Sequence, residues 1–149
     1  MRFTRSAMAA AALAALALGT TTALAAPASA APNVTPQNVC GSGYQTVNSA
    51  PIGSLGTVYL TYNATSGMNC VTTIRSNPGT AVDMSAWISI ADSEEGDYDY
   101  GTYTSYAGPT YAYGKGHCAD WGGSIENIYV SVYGSNCGAL KEHRVTTVR

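Results

Sequence analysis

Residues 113–123, "YGKGHCADWGG", put His117, Cys118 and Asp120 within four positions. These residue types could form a thiolate nucleophile with an imidazole base, or part of a metal site. Both uses need a free thiol. The four cysteines, at 40, 70, 118 and 137, instead read as two disulfides formed in an oxidising compartment. Spacing leaves the connectivity open, but Cys40–Cys70 and Cys118–Cys137 each close one hairpin-sized unit and are the expected pairs. Oxidation of Cys118 removes nucleophile and ligand together. Residues 117 and 118 would also point to opposite sides of an extended segment. The expected role of this stretch is a turn held by a disulfide, with Trp121-Gly122-Gly123 as part of it.

A second candidate is the acidic run "DSEEGDYDYG" at 92–101. Asp92, Glu94, Asp97 and Asp99, with Glu95 among them, supply hard oxygen ligands of the kind that bind Ca²⁺. The run does not match an EF-hand loop, because a start at Asp92 or at Asp97 places glycine at the fifth position and not the sixth. What remains is an irregular calcium loop or a solvated hairpin tip whose charges discourage pairing with other chains. A glycosidase would need two carboxyl groups facing across a cleft about 5–10 Å wide, and no groove is legible. No catalytic residue and no cofactor is assigned.

The third candidate is the excess of tyrosine, eleven against one phenylalanine. Tyr98, Tyr100, Tyr103, Tyr106, Tyr111, Tyr113, Tyr129 and Tyr133 crowd the second half. Tyrosine joins an apolar ring to a polar tip, so a strip of them can stack on sugars or on another protein. It is also an ordinary strand residue. The candidate binding surface is Tyr98, Tyr100, Tyr103, Tyr111 and Tyr113 with Trp87.

Strands must position all three candidates. "GTVYLTY" at 56–62 and "CVTTIR" at 70–75 alternate with period two around the turn "NATSGMN", which makes a hairpin. "MSAWISI" sets Met84, Ala86, Ile88 and Ile90 on one face and Ser85, Trp87 and Ser89 on the other. "NIYVSVY" turns Ile128, Val130 and Val132 inward and Tyr129, Ser131 and Tyr133 outward. Ala107-Gly108-Pro109 marks a turn or bulge, since proline cannot donate to a ladder. No mature segment carries helical periodicity. The expected fold is all-β, a small antiparallel sandwich or barrel stabilised by two disulfides.

The chain is expected to divide into a secretory signal peptide at 1–30, a flexible lead-in at 31–38, one all-β domain at 39–138 and a charged tail at 139–149. Arg2 and Arg5 precede the apolar run Ala7–Leu18, and Ala28-Ser29-Ala30 is a small-residue cleavage pattern. Val145 to Val148 in the tail could add a short edge strand. From Ala31 onward, five Lys and Arg stand against nine Asp and Glu. That balance argues against nucleic acid and against anionic membrane surfaces. Only 11% of residues are charged, against about 25% in typical domains, so hydroxyl and amide groups must cover the surface. An exported product, without membrane insertion after cleavage, follows.

"NVCGSGY" at 38–44, "GTVYLTYN" with "NCVTTIRS" within 56–76, and "YAGPTYAYGKGHCADWGG" at 106–123 resemble the spore-associated protein A family of actinobacteria. The resemblance covers most of residues 36–124. It implies a small secreted protein of the cell or spore surface, and it transfers no catalytic residue. The acidic tip and the tail after Cys137-Gly138 depart from the family's pattern. The expected function is therefore non-catalytic binding to cell-wall or spore-surface components. The alternatives are a carbohydrate- or cell-wall-binding module using exposed tyrosines, and a small secreted hydrolase.

Overall fold

The computed structural model describes residues 33–137 and 144–148. The expected signal peptide, and residues 138–143 and 149 of the expected tail, lie outside the described residues. Among the described residues no helix is long and apolar enough to cross a membrane.

The described chain runs α1 (Pro36–Cys40), β1 (Gln45–Ile52), β2 (Gly56–Asn63), β3 (Met68–Arg75), β4 (Val82–Ile90), β5 (Gly96–Tyr103), β6 (Tyr106–Tyr113), β7 (Ala119–Ile125), β8 (Ile128–Ser135) and β9 (Arg144–Val148). The strands form two antiparallel sheets, ordered β1-β2-β3-β6 and β5-β4-β7-β8-β9. The core lies between them. Val58, Leu60 and Val71 face Met84, Ala86, Ile88, Trp121, Val130 and Val132, all buried. The alternation read in 84–90 and 128–133 thus becomes the inner face of the five-stranded sheet, and the sandwich expectation holds. So does the disulfide pairing, Cys40–Cys70 and Cys118–Cys137.

Three segments differ from expectation. The lead-in is not uniformly irregular, because Pro36–Cys40 forms one helical turn. Thr35 caps it, its hydroxyl accepting from the Asn38 N–H at 3.2 Å, and Pro36 occupies the first turn, where a missing N–H costs nothing. Second, Gln45–Ile52 forms a strand, β1, without alternation in its sequence. Most of its side chains are exposed, it contains Pro51, and a bulge between Thr46 and Asn48 breaks its period. It is an edge strand, the place where proline and bulges are tolerated.

Third, Trp121-Gly122-Gly123 is not a turn. It is the middle of β7, hydrogen-bonded on both sides to β4 and β8. A Cβ on Gly123 would strike the Thr73 hydroxyl from the opposing sheet and lie 2.6 Å from the Ser85 carbonyl oxygen. One on Gly122 would lie 2.6 Å from Trp87 Nε1 and collide with the Val130 carbonyl oxygen. Glycine is required here by close approach on both faces, a role it takes inside strands. The turn anchored by Cys118 lies just before, at 114–118, where the His117 N–H donates to the Gly114 carbonyl at 3.1 Å. Finally, β9 pairs with β8, so part of the expected tail supplies the edge strand that its Val and Thr residues suggested.

Candidate functional site

The cluster around Cys118 separates in space into three structural roles. His117 is exposed in the β6–β7 turn. Cys118 is oxidised, and the described cysteines are all paired. Asp120 turns to β8, where its carboxylate accepts the Gly134 N–H at 2.6 Å. Gly134 sits at φ +61° in a bulge where β8 slips against β7, so Asp120 satisfies a donor that the ladder leaves free. On the inner face Trp121 is fully buried, and its indole N–H donates to Ser135 Oγ at 2.7 Å.

The acidic residues also part. Asp92 and Glu94 stand exposed on the β4–β5 hairpin tip, while Asp97 and Asp99 belong to β5 itself. Asp97 Oδ2 accepts the Tyr111 N–H at 2.9 Å, and Asp99 Oδ2 accepts the Gly108 N–H at 2.6 Å. Both donors lie on β6, the edge of the other sheet. Gly108 stands at φ +91° beside Pro109 in the bulge foreseen at 107–109, and the peptide bond between them is cis. Asp99 Oδ1 also accepts the Tyr103 hydroxyl at 2.6 Å. That bond, with burial and the nearby negative charge adding to it, pushes the Tyr103 phenol above its ordinary pKa. Asp97 and Asp99 thus fasten the two sheets along one side. Among the described residues, no three His, Cys, Asp or Glu side chains converge in a way that could hold a metal.

The aromatic candidates divide by strand parity. Tyr103 shares the inward parity of Asp97 and Asp99 and packs against the core. Tyr111 lies on the outer face of the four-stranded sheet, beneath α1. Its hydroxyl donates to the Cys40 carbonyl at 3.1 Å, and its ring lies 5.8 Å from that of Tyr44. Burial raises the pKa of both phenols. Tyr113 is exposed on that same sheet, beside Gly67 and Lys115. These three are removed from the candidate strip: two are structural, and one belongs to another surface.

What the fold does gather is Trp87, Tyr98 and Tyr100, joined by Tyr129 and Tyr133, on the outer face of the five-stranded sheet. Tyr98 stands directly across from Trp87, and Tyr100 across from Ser85. Trp87 pairs with Gly122, and because that residue has no side chain the indole packs down onto the β7 backbone. It reaches diagonally toward Tyr133 on β8, at 6.4 Å between ring centroids. Beside this row the Ser85 and Ser124 hydroxyls bond to each other at 2.7 Å. They face outward yet are 4% and 2% exposed, flanked in register by Tyr100 and Tyr129. The tyrosines keep far more surface: Tyr98 63%, Tyr100 58%, Tyr129 55% and Tyr133 45%. A shallow depression lined by Trp87, Ile88, Gly96, Asp97 and Tyr98 opens at one end, where Gly96 leaves the space beside the two rings unfilled. Tyr129 and Tyr133 were readable as outward from alternation, but nothing local placed them near Trp87. Only the β4–β7–β8 order does so.

This geometry offers stacking and hydroxyl contacts rather than a nucleophile with a base. Spore-associated protein A of Streptomyces coelicolor is 56% identical to the chain over 102 residues, 68% of this chain and 66% of that protein. The match thus spans just under two thirds of the relative's own length. No protein-family model and no solved structure matches the chain. The chain belongs to the spore-associated protein A family.

Proposed function

We propose that the chain is exported and acts without catalysis, holding to a component of the spore or cell envelope through the outer face of the five-stranded sheet. The observation that carries this reading is the aromatic group on one face, half-buried Trp87 with exposed Tyr98, Tyr100, Tyr129 and Tyr133. An uncovered aromatic surface of this kind is a usual mark of a recognition site. The residues with reactive chemistry are committed elsewhere: Cys118 to a disulfide, and Asp97, Asp99 and Asp120 to backbone N–H groups. Two disulfides favour an oxidising, extracytoplasmic location, and the relative's name places that protein with spores.

Fractionation tests the reading. The wild-type protein is expected to stay with washed spores or cells, and a Trp87→Ala/Tyr98→Ala double variant is expected in the medium. Wild-type protein found wholly in the medium overturns surface attachment. Equal retention of both proteins overturns the assignment of this face.

A further inference from the structure

We infer that the aromatic face binds an uncharged polysaccharide, with Trp87 as the ring on which a sugar stacks and Tyr98 and Tyr133 as its flanks. The inference rests on the surface-binding reading and narrows it to a ligand class. Three observations support it.

The first is the seating of Trp87. Gly122 lets the indole settle on the sheet, with Nε1 and Cε2 at 2.6 and 2.8 Å from where a Cβ would stand. One side of the ring is thereby fixed by backbone while the residue remains partly exposed. A ring held in this way loses little side-chain freedom when a ligand covers it, which favours stacking on the C–H face of a pyranose.

The second is charge. The register row through the site, Tyr98, Trp87, Gly122, Ser131 and Thr146, contains no carboxylate, amine or guanidinium. Asp120, at the margin, already accepts the Gly134 N–H. Of the described basic residues, Arg75 lies on β3 of the opposite sheet, Lys115 in the β6–β7 turn and Arg144 on β9, where it pairs in register with Tyr133 and outside the central row. Polymers bearing phosphate or carboxylate meet a chain with an acidic excess, whereas a neutral glycan meets none of that repulsion.

The third is the hydroxyl supply. Exposed tyrosine phenols on both flanks of the indole can donate and accept, as sugar recognition requires. The depression beside Trp87 and Tyr98 gives a stacked ring space for a substituent at one edge.

The chain has two tryptophans, and Trp121 is fully buried, so a ligand-induced change in indole emission reports on Trp87. The protein, expressed from its whole coding sequence and purified as the host releases it, would be titrated with cellohexaose and with chitohexaose. A saturable emission change with at least one of them is expected. Titrated by calorimetry, because they lack the reporting indole, Trp87→Ala should bind at least about tenfold more weakly than wild type, as loss of a central aromatic anchor does, while Trp87→Phe keeps part of the affinity. Melting curves check that the variants fold.

Failure to bind either oligosaccharide overturns the glycan assignment, and so does an unchanged affinity in Trp87→Ala. If washed envelopes still capture the wild-type protein through Trp87 while both oligosaccharides fail, the surface reading stands and its ligand is not a neutral glycan. Capture abolished by treating the envelopes with protease points to a protein ligand and overturns the inference in the same way.

Discussion

Gly123 and Gly79 separate two reasons for the same residue type. At Gly123 an added methyl meets the Thr73 hydroxyl and the Ser85 carbonyl oxygen, whereas at Gly79 nothing lies within 4 Å. Gly123→Ala is therefore expected to lower stability by about 1–3 kcal/mol through overpacking. Gly79→Ala should stay within about 0.5 kcal/mol of wild type. Urea midpoints at constant slope measure both. Tyr103 gives a prediction in pH. Its folded phenol titrates above the ordinary value of 10.0 because its proton is bonded to Asp99. The stabilisation is complete below the unfolded pKa of about 10 and is lost as pH rises through the folded value. Alkaline unfolding of wild type should thus steepen above that point, and Tyr103→Phe should flatten that part of the curve. A curve unaltered in shape by the substitution would contradict the Asp99 bond.

At the scale of the strand, the readable elements were those with one face in the core. The 84–90 and 128–133 segments point alternate residues into the core, and period two announces that. β1 escaped because its exposed side chains and its bulge leave no period to detect. β7 escaped for the opposite reason, since every residue but Asp120 is buried and its two central glycines imitate a turn. The need for those glycines comes from Thr73 and Trp87, residues that sequence distance hides. Asp97 and Asp99 illustrate the same limit. Their types suggested a cation, yet their partners are N–H groups on β6, 14 residues from Asp97 and 9 from Asp99. Asp99→Ala leaves the Gly108 N–H and the Tyr103 hydroxyl without their acceptor. It is expected to cost about 1–3 kcal/mol, with faster amide exchange at Gly108 as the specific sign. Protection at Gly108 equal to that of wild type would show that the carboxylate does not hold this edge.

For the whole molecule, two covalent links bind parts that the sandwich alone would hold weakly. Cys40–Cys70 pins α1 to β3 across 30 residues, and Cys118–Cys137 joins the β6–β7 turn to the end of β8 across 19. Loops of these lengths correspond to about 3–4 kcal/mol each in the chain-entropy model, a large fraction of the stability of a small domain. Cys40→Ser/Cys70→Ser should lower the melting temperature by roughly 10 °C or more. It should also increase exchange around α1, while the aromatic face on the opposite sheet keeps its spectrum. The fold class and the oxidation of the cysteines were legible because hydrophobic period and compartment chemistry are local properties, whereas the pairing itself rested only on loop length. The candidate site was legible only in part. Strand parity gives each side chain its face, but strand order decides which faces adjoin.

The carboxylates on β5 also bear on how one copy of this protein meets another. An open strand edge offers its N–H groups to any neighbour, and dense display brings identical edges together. On β6 the Gly108 and Tyr111 donors are already taken and Pro109 has none to give. A neighbouring strand therefore finds no continuous ladder to extend along this edge.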